Sequence, residues 1–324
     1  MKTVARNFVS WNTRWLQRTF LGESAVILMY HGVTDRPDSR TNVFGKHVFV
    51  ERFREQIKFF LNNYNIISLE DLNIALRSNR LIKDSLVITF DDGYRNMYSV
   101  VYPILKEYGI PATVFLVTGL VGTGQWAWVD KVEYLLINTP LRELRLTGLN
   151  LDLTLGDLTQ RREAIIELKG MLKSCEEEKK VETIQELEGK SLVDWGQPME
   201  NYEFLNWDEI KEMNRNKITF GAHTVNHPIL SRCDFEKAKH EILGSKRTIE
   251  EKLGSEITTF CYPNGKHEDY TPQIKDFCRK HFDCAVTANH GIISADRLDL
   301  YELCRIGVSS ETRLSTLLWC LWRR

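Results

Sequence analysis

The stretch Leu86-Val-Ile-Thr-Phe-Asp-Asp-Gly93 constrains this chain more than any other. Leu86, Val87 and Ile88 form an apolar run too short for a helix, which predicts a buried strand. Gly93 lets the backbone turn sharply as the strand ends. Asp91 and Asp92 therefore sit at the C-terminal tip of a buried strand, where α/β folds place their chemistry. Adjacent strand residues point in different directions, so one carboxylate can bind a cation while the other stays free as a base. The plainer reading is a turn that happens to carry two aspartates, since Asp-Gly is common in turns.

A second signal is His223-Thr-Val-Asn-His227. Histidines at i and i+4 share one face of a helix and can hold one metal ion. The alternative is a pair of packing or surface histidines. Taken together, Thr89-Phe90-Asp91-Asp92-Gly93 and His223-Thr224-x-x-His227 resemble, in order and separation, the first two motifs of the polysaccharide deacetylase family, carbohydrate esterase family 4. The resemblance runs from about Val26 to about Val308, with an insertion in the middle. The early Tyr30-His31 strand is similar to one branch of that family, whose members begin with such a strand.

The resemblance implies a distorted (β/α) barrel of seven strands. It also implies Asp92, His223 and His227 as ligands of one divalent cation, and Asp91 as the base that takes a proton from the attacking water. An amide is a poor electrophile and neutral water a poor nucleophile, and a divalent cation addresses both. Three protein ligands leave open positions, as a catalytic site requires. Mixed nitrogen and oxygen ligation suits zinc and admits cobalt, nickel, iron or manganese.

The family's third motif supplies a backbone N–H for the oxyanion, and its match here is Cys261-Tyr262-Pro263-Asn264-Gly265. Asn264 is the candidate donor, with Tyr262 beside it as a substrate contact. Cys261 stands where the family carries an arginine. Arg305, near the end of the last predicted strand, is the candidate replacement, a surface ion pair being the alternative. The late histidine that usually serves as general acid is absent. His31 takes that role in our reading, with a hydrogen-bonded rim histidine as the alternative and His290 as a weaker candidate. The aspartate–tryptophan fourth motif is also absent, so Asp283 inherits nothing.

Strands alternating with helices predict a parallel α/β barrel, and 324 residues suffice for one such domain. Expected strands include 26–33, 112–117, 218–222, 258–265, 285–287 and 303–308. Expected helices include 47–63, 96–108 and 234–253. Residues 125–203 read as a mostly helical insertion with a hairpin between Leu141 and Leu155. Trp126 and Trp128 open it, either as packing or as a rim on which a sugar stacks. Residues 1–25 are basic and aromatic, with Trp11 and Trp15 on one helical face. They read as a helix closing the barrel bottom or as an interfacial helix, and residues 317–324 repeat the character.

The net charge of −1 argues against non-specific nucleic-acid binding. Seven cysteines with no CxxC pair suggest reduced thiols. With no leader-like apolar core, the expectation is a cytoplasmic protein, with peripheral membrane contact through 1–22 and 317–324. The functional expectation is a metal-dependent hydrolase removing N-acetyl groups from a polysaccharide, oligosaccharide or lipid-linked glycan. An O-acetyl esterase, another C–N hydrolase, and a barrel that binds glycan without turnover are the competing readings.

Overall fold

A computed structural model describes residues 24–36, 40–78, 80, 83–196, 198–199, 201–294 and 298–317. The expected terminal helix at 1–22 lies outside them, as does the C-terminal segment beyond Leu317. Ser24 and Ala25, expected in that helix, instead begin the first strand.

Seven parallel strands close into a barrel: β1 (Ser24–Tyr30), β2 (Ser85–Phe90), β3 (Ala112–Leu116), β4 (Ile218–Ala222), β5 (Thr259–Cys261), β6 (Cys284–His290) and β7 (Leu303–Gly307). The ring runs β1-β2-β3-β4-β5-β6-β7 and returns to β1 through Leu28 opposite Ile306. The closure is uneven. β4 and β5 share a single pairing, Ala222 with Phe260, and the β6–β7 register shifts between Val286 and His290. These irregularities are the distortion expected of a seven-stranded barrel. The predicted strand 26–33 breaks at His31. Its tail, Gly32–Thr34, leaves the barrel to pair with His47–Phe49.

Around the ring stand α1 (Val50–Asn63), α2 (Leu69–Arg77), α3 (Tyr102–Tyr108), α4 (Trp128–Asn138), α5 (Leu158–Ser174), α6 (Glu177–Lys190), α7 (Trp207–Asn214), α8 (Phe235–Leu253) and α9 (Pro272–His281). The helix expected over 96–108 opens with a wide π-type turn, Met97–Val101, before α3. Pro103 has no N–H to give to an i−4 carbonyl, so the ladder re-registers there. Gly109 ends α3 in the left-handed conformation, as its position predicts.

Side chains alternate across each strand, so each buries two faces. Ala25, Ile27, Val87, Phe115 and Val286 cluster with Leu69, Leu72 and Leu76 of α2. The described plug at the barrel end away from Asp91 is therefore α2. Leu28, Tyr30, Ile88, Phe90 and Val114 pack into the larger outer cluster.

The insertion holds its own apolar cluster, built from α4, α5, α6 and the hairpin of Glu143–Leu146 with Leu151–Thr154. Val43 of the barrel joins that cluster, and its carbonyl accepts from the Arg162 guanidinium at 2.8 Å. All six described cysteines are free. No described helix is long and apolar enough to cross a membrane.

Gly221 shows how tightly β4 is packed. A Cβ there would lie 2.5 Å from the Phe115 ring and 2.6 Å from Thr259 Oγ1. Gly221→Ala is expected to cost about 1–3 kcal/mol through overpacking. A lower urea midpoint with an unchanged slope would show it.

Candidate metal and hydrolytic site

The ladder places the site. Tyr30 pairs with Phe90 at the end of β1 and β2, so His31 and Asp91 emerge side by side, and Asp91 N–H donates to the Tyr30 carbonyl at 2.9 Å. Leu116 pairs with Ala222, and His223 N–H donates to the Leu116 carbonyl at 3.1 Å. All these groups share the C-terminal rim of the barrel.

Asp92 Oδ1 lies 3.4 Å from His223 Nε2 and 3.5 Å from His227 Nε2. The three ligand atoms all fall within 4.8 Å of one another. His223 Nδ1 is 2.8 Å from the Cys261 carbonyl. That bond fixes the proton on Nδ1 and leaves Nε2 as the lone-pair donor, which is how a metal-binding imidazole is oriented. One carboxylate and two such nitrogens are a chemically fitting donor set for a divalent cation.

The histidines do not lie on a helix, as their spacing predicts. Residues 223–229 form a tight irregular loop. Thr224 and His227 take positive φ there, at 66° and 55°. Thr224 Oγ1 accepts from His227 N–H at 3.0 Å, folding the loop back on itself. Glu241 of α8 receives the N–H groups of Val225 and Asn226 at 3.0 and 2.8 Å. Asp92 and Asn264 also have positive φ, at 71° and 56°. Such backbone is costly for a side-chain-bearing residue and concentrates at functional sites. Gly93 is required as well. Its φ is 86°, and a Cβ would press 2.8 Å from Leu116 Cδ2.

Arg305 is only 1% exposed and grips Asp91 through two bonds of 2.7 Å, one to each carboxylate oxygen. Its Nη1 also donates to Thr89 Oγ1 at 3.1 Å, its Nε to the Thr287 carbonyl at 2.8 Å, and its Nη2 to Cys261 Sγ at 3.2 Å. The surface ion-pair alternative is excluded. The smaller Cys261 leaves room for a guanidinium that arrives from β7. Burial pushes the Asp91 carboxyl up, but Arg305 outweighs it and holds Asp91 below the ordinary carboxylate range.

Burial likewise opposes the Asp92 charge, yet His223, His227 and His31 hold its carboxyl far below the usual range. Burial alone would lower the His223 imidazole, but Cys261, Asp92 and Asp91 outweigh it and raise it well above its ordinary value. Burial pushes His227 down to about 4 despite Asp92. Asp92 thus favours the protonated form of His223 over that of His227. His31 is half-buried and depressed by burial, with Asp92 and Asp91 opposing and Lys46 and Arg305 assisting.

Asn264 lines a cavity together with His227. Its backbone N–H has no acceptor among the described residues. Tyr262, expected as a substrate contact, points elsewhere. Its ring stacks on Tyr270 at 4.1 Å and meets Phe260 edge-on, in the packing beneath α9. Trp126 reaches the cavity beside Asp92 and His227 only at its edge. It is 7% exposed, wedged between Tyr134 and Tyr202, and its Nε1 donates to the Gly196 carbonyl. It packs the insertion and borders only the smaller of the two cavities beside His227, whereas the half-buried Trp128 lines both. His290 is exposed at the end of β6, a strand rather than the predicted loop.

A buried cluster escaped the sequence reading. The Lys46 ammonium donates to Tyr94 Oη at 2.8 Å and pairs with the fully buried Asp130 of α4, while Tyr94 Oη donates to Asp130 Oδ2 at 2.7 Å. Nothing in spacing joins positions 46, 94 and 130. The only local hint is that Tyr94 directly follows the Asp-Asp-Gly turn.

Two outcomes follow from these contacts. Arg305→Met strands a buried carboxylate and should cost about 3–5 kcal/mol at neutral pH. The deficit should shrink as pH falls toward about 4, because protonating Asp91 removes the unpaired charge; urea titrations at two pH values read it. A divalent metal competes with a proton for His223 Nε2. Affinity measured by calorimetry between pH 6 and 8 should therefore rise with pH, with about one proton released per ion.

The sequence profile of the family described as polysaccharide deacetylase matches residues 78–278. YxkH of Bacillus subtilis (strain 168), whose name places it in the same family, is 21% identical over 285 residues, 87% of this chain and 71% of its own length. Poly-beta-1,6-N-acetyl-D-glucosamine N-deacetylase of Staphylococcus aureus is 30% identical over 136 residues, 39% of this chain. That match spans 46% of the staphylococcal protein. Among solved structures, Streptococcus pyogenes deacetylase PplD in complex with acetate superimposes with a TM-score of 0.61 at 24% identity, covering 92% of this chain and 97% of that one. IcaB from Ammonifex degensii gives 0.57 at 17% identity, covering 93% and 97%. The profile match takes in more than half the sequence and carries Asp91, Asp92, His223 and His227 together, so this chain belongs to the polysaccharide deacetylase family.

Proposed function

We propose that this chain is an N-deacetylase of an N-acetylated glycan. The observation that carries the reading is the carboxylate pair. Asp91 is clamped and charged by Arg305, while Asp92 is turned away from it toward two histidines. A glycan-binding barrel without turnover has no use for a buried, orientation-locked base beside a metal-ligand set.

Asp92, His223 and His227 would hold the cation, for which zinc suits the donor set, with cobalt, nickel, iron and manganese as alternatives. When bound, the cation polarises the acetyl carbonyl and acidifies water. Asp91 takes the proton of the attacking water. Arg305 keeps that carboxylate ionised and fixed, so it starts the reaction as a base. The Asn264 N–H donates to the oxygen that gains charge as the carbonyl carbon becomes tetrahedral. His31 delivers a proton to the departing nitrogen. Its burial makes the protonated imidazole a stronger acid. One C–O bond forms and the C–N bond breaks, giving acetate and a free amine on the sugar. N-acetylglucosamine polymers are the substrate class we favour, because the staphylococcal relative is named for one.

The test is acetate release from N-acetylated and O-acetylated glycans, beside metal content by mass spectrometry. Wild-type protein should carry about one divalent transition metal per chain and release acetate from the amide. Asp91→Asn and His31→Asn should retain the metal and lose about 10²–10⁴-fold in kcat. His227→Ala should lose the metal. Release from esters alone would move the chain to O-deacetylation, and wild-type protein that takes up no such metal in excess would sink the hydrolytic reading.

A further inference from the structure

The turn that carries Asp92 is held from the side facing the insertion. Asp92 stands at φ 71°, a conformation that persists only where the surroundings impose it. Its direct bond to the barrel is long, the Asp92 carbonyl accepting from Val117 N–H at 3.3 Å. The residues after it are held more firmly. Leu205 N–H donates to the Gly93 carbonyl at 2.9 Å, and Arg95 N–H donates to the Glu203 carbonyl at 2.8 Å. The turn thus runs on into a short antiparallel bridge in which Tyr94 lies opposite Phe204.

The Tyr94 side chain locks that bridge. Its ring is fully buried, stacked on Phe204 at 4.8 Å and met edge-on by His47 at 5.0 Å. Apolar packing is non-directional and holds the ring without fixing its tip, whereas hydrogen bonds weaken steeply off their line and do fix it. The tip makes two. Tyr94 Oη donates to Asp130 Oδ2 at 2.7 Å and accepts from the Lys46 ammonium at 2.8 Å. Both bonds are charge-assisted. Asp130 lies fully buried in the first turn of α4, and Lys46 closes the triangle by pairing with it directly. Burial opposes the Lys46 charge, but Asp130 and Glu133 outweigh it and raise the ammonium above its ordinary value. A closed set of buried bonds of this kind is stiff, because each member polarises and orients the next.

We propose that Asp130 and Lys46 are positioning residues for the cation. Through the Tyr94 hydroxyl they brace the turn that aims Asp92, so the insertion sets how tightly the barrel holds its metal. Neither residue belongs to the ligand set, and their effect reaches Asp92 through Tyr94 and Gly93. The proposal rests on Asp92 being a ligand and not on which bond is hydrolysed, so cation binding alone can test it.

Cobalt(II) is titrated calorimetrically into the full chain treated with chelator, with no glycan present, and its visible spectrum records the ligand geometry. Tyr94→Phe deletes one oxygen and keeps the ring. Lys46→Met combined with Asp130→Leu removes the ion pair as a unit, leaving the net charge unchanged and residues 91–94 untouched. Buried pairs tolerate joint replacement by apolar groups of similar size. Both variants should bind cobalt about tenfold more weakly than wild type, as expected when the groups that orient a metal ligand are disturbed, and with an altered spectrum. Tyr301→Phe is the comparison. It loses a buried bond of the same kind, from Tyr301 Oη to the Phe282 carbonyl at 2.9 Å, at the barrel end away from the rim. It should lower the urea midpoint and leave cobalt affinity unchanged. Wild-type affinity and spectrum in the Lys46→Met, Asp130→Leu variant would overturn the proposal, whatever Tyr94→Phe does. An equal loss of affinity in Tyr301→Phe would overturn it too, by marking the effect as general loosening. Should the double variant not fold, Tyr94→Phe decides: weaker binding supports the brace and unchanged binding overturns it. Wild-type protein that binds cobalt yet releases no acetate from any glycan would overturn the deacetylase reading and leave the brace standing.

Discussion

The pairing of Arg305 with Asp91 is the contact on which the site depends. Both groups are buried, and burial opposes both charges, so each is tolerable only because the other is there. Two parallel N–H···O bonds fix the carboxylate plane as well as its charge. The fork also donates to Thr89 of β2 and to the carbonyl of Thr287 on β6. One side chain therefore ties three barrel strands together just under the reacting rim. Asp91 and Thr89 lie more than two hundred residues away in the chain, so the base is not set until the barrel has closed.

Around that contact, the rim is assembled by register. His31, Asp91, Asp92 and His223 are each the first or second residue beyond a strand end, and the parallel ladder decides which neighbours they meet. Where the ladder stops, strained loop backbone takes over. Asp92, Thr224, His227 and Asn264 all sit at positive φ. The chain accepts unfavourable backbone where it must aim a ligand or an N–H, and in the 224–227 loop N–H groups donating to Thr224 Oγ1 and the Glu241 carboxylate hold that conformation in place.

The strand ending in Asp91 and Asp92 was legible in the sequence because its signal is local: a short β-branched run, two carboxylates and a turn glycine. The barrel class was legible from alternation of strands and helices. The helical face expected for His223 and His227 was not there, because i, i+4 spacing is equally served by a loop whose turn depends on a threonine side chain. Trp126 and Trp128 differ by two positions and look alike in the sequence, yet only tertiary packing against Tyr134 and Tyr202 decides which ring stays open. Arg305 could be named but not placed, since its partner lies in a distant strand. Lys46 gave no signal at all, because its role exists only once three remote segments meet.

That last residue bears on how separable the insertion is. Residues 40–46 belong by sequence to the barrel, yet Val43 is part of the insertion's apolar cluster and Lys46 takes its counter-charge from the insertion's Asp130. The ammonium also sits close enough to His31 and Asp92 to feel their charge. Cutting residues 125–203 out of the chain would thus leave an unneutralised cation facing the reacting rim and a bare apolar face beside it. The two parts have to be inherited, exchanged or redesigned as one unit, however much the sequence suggests a removable module.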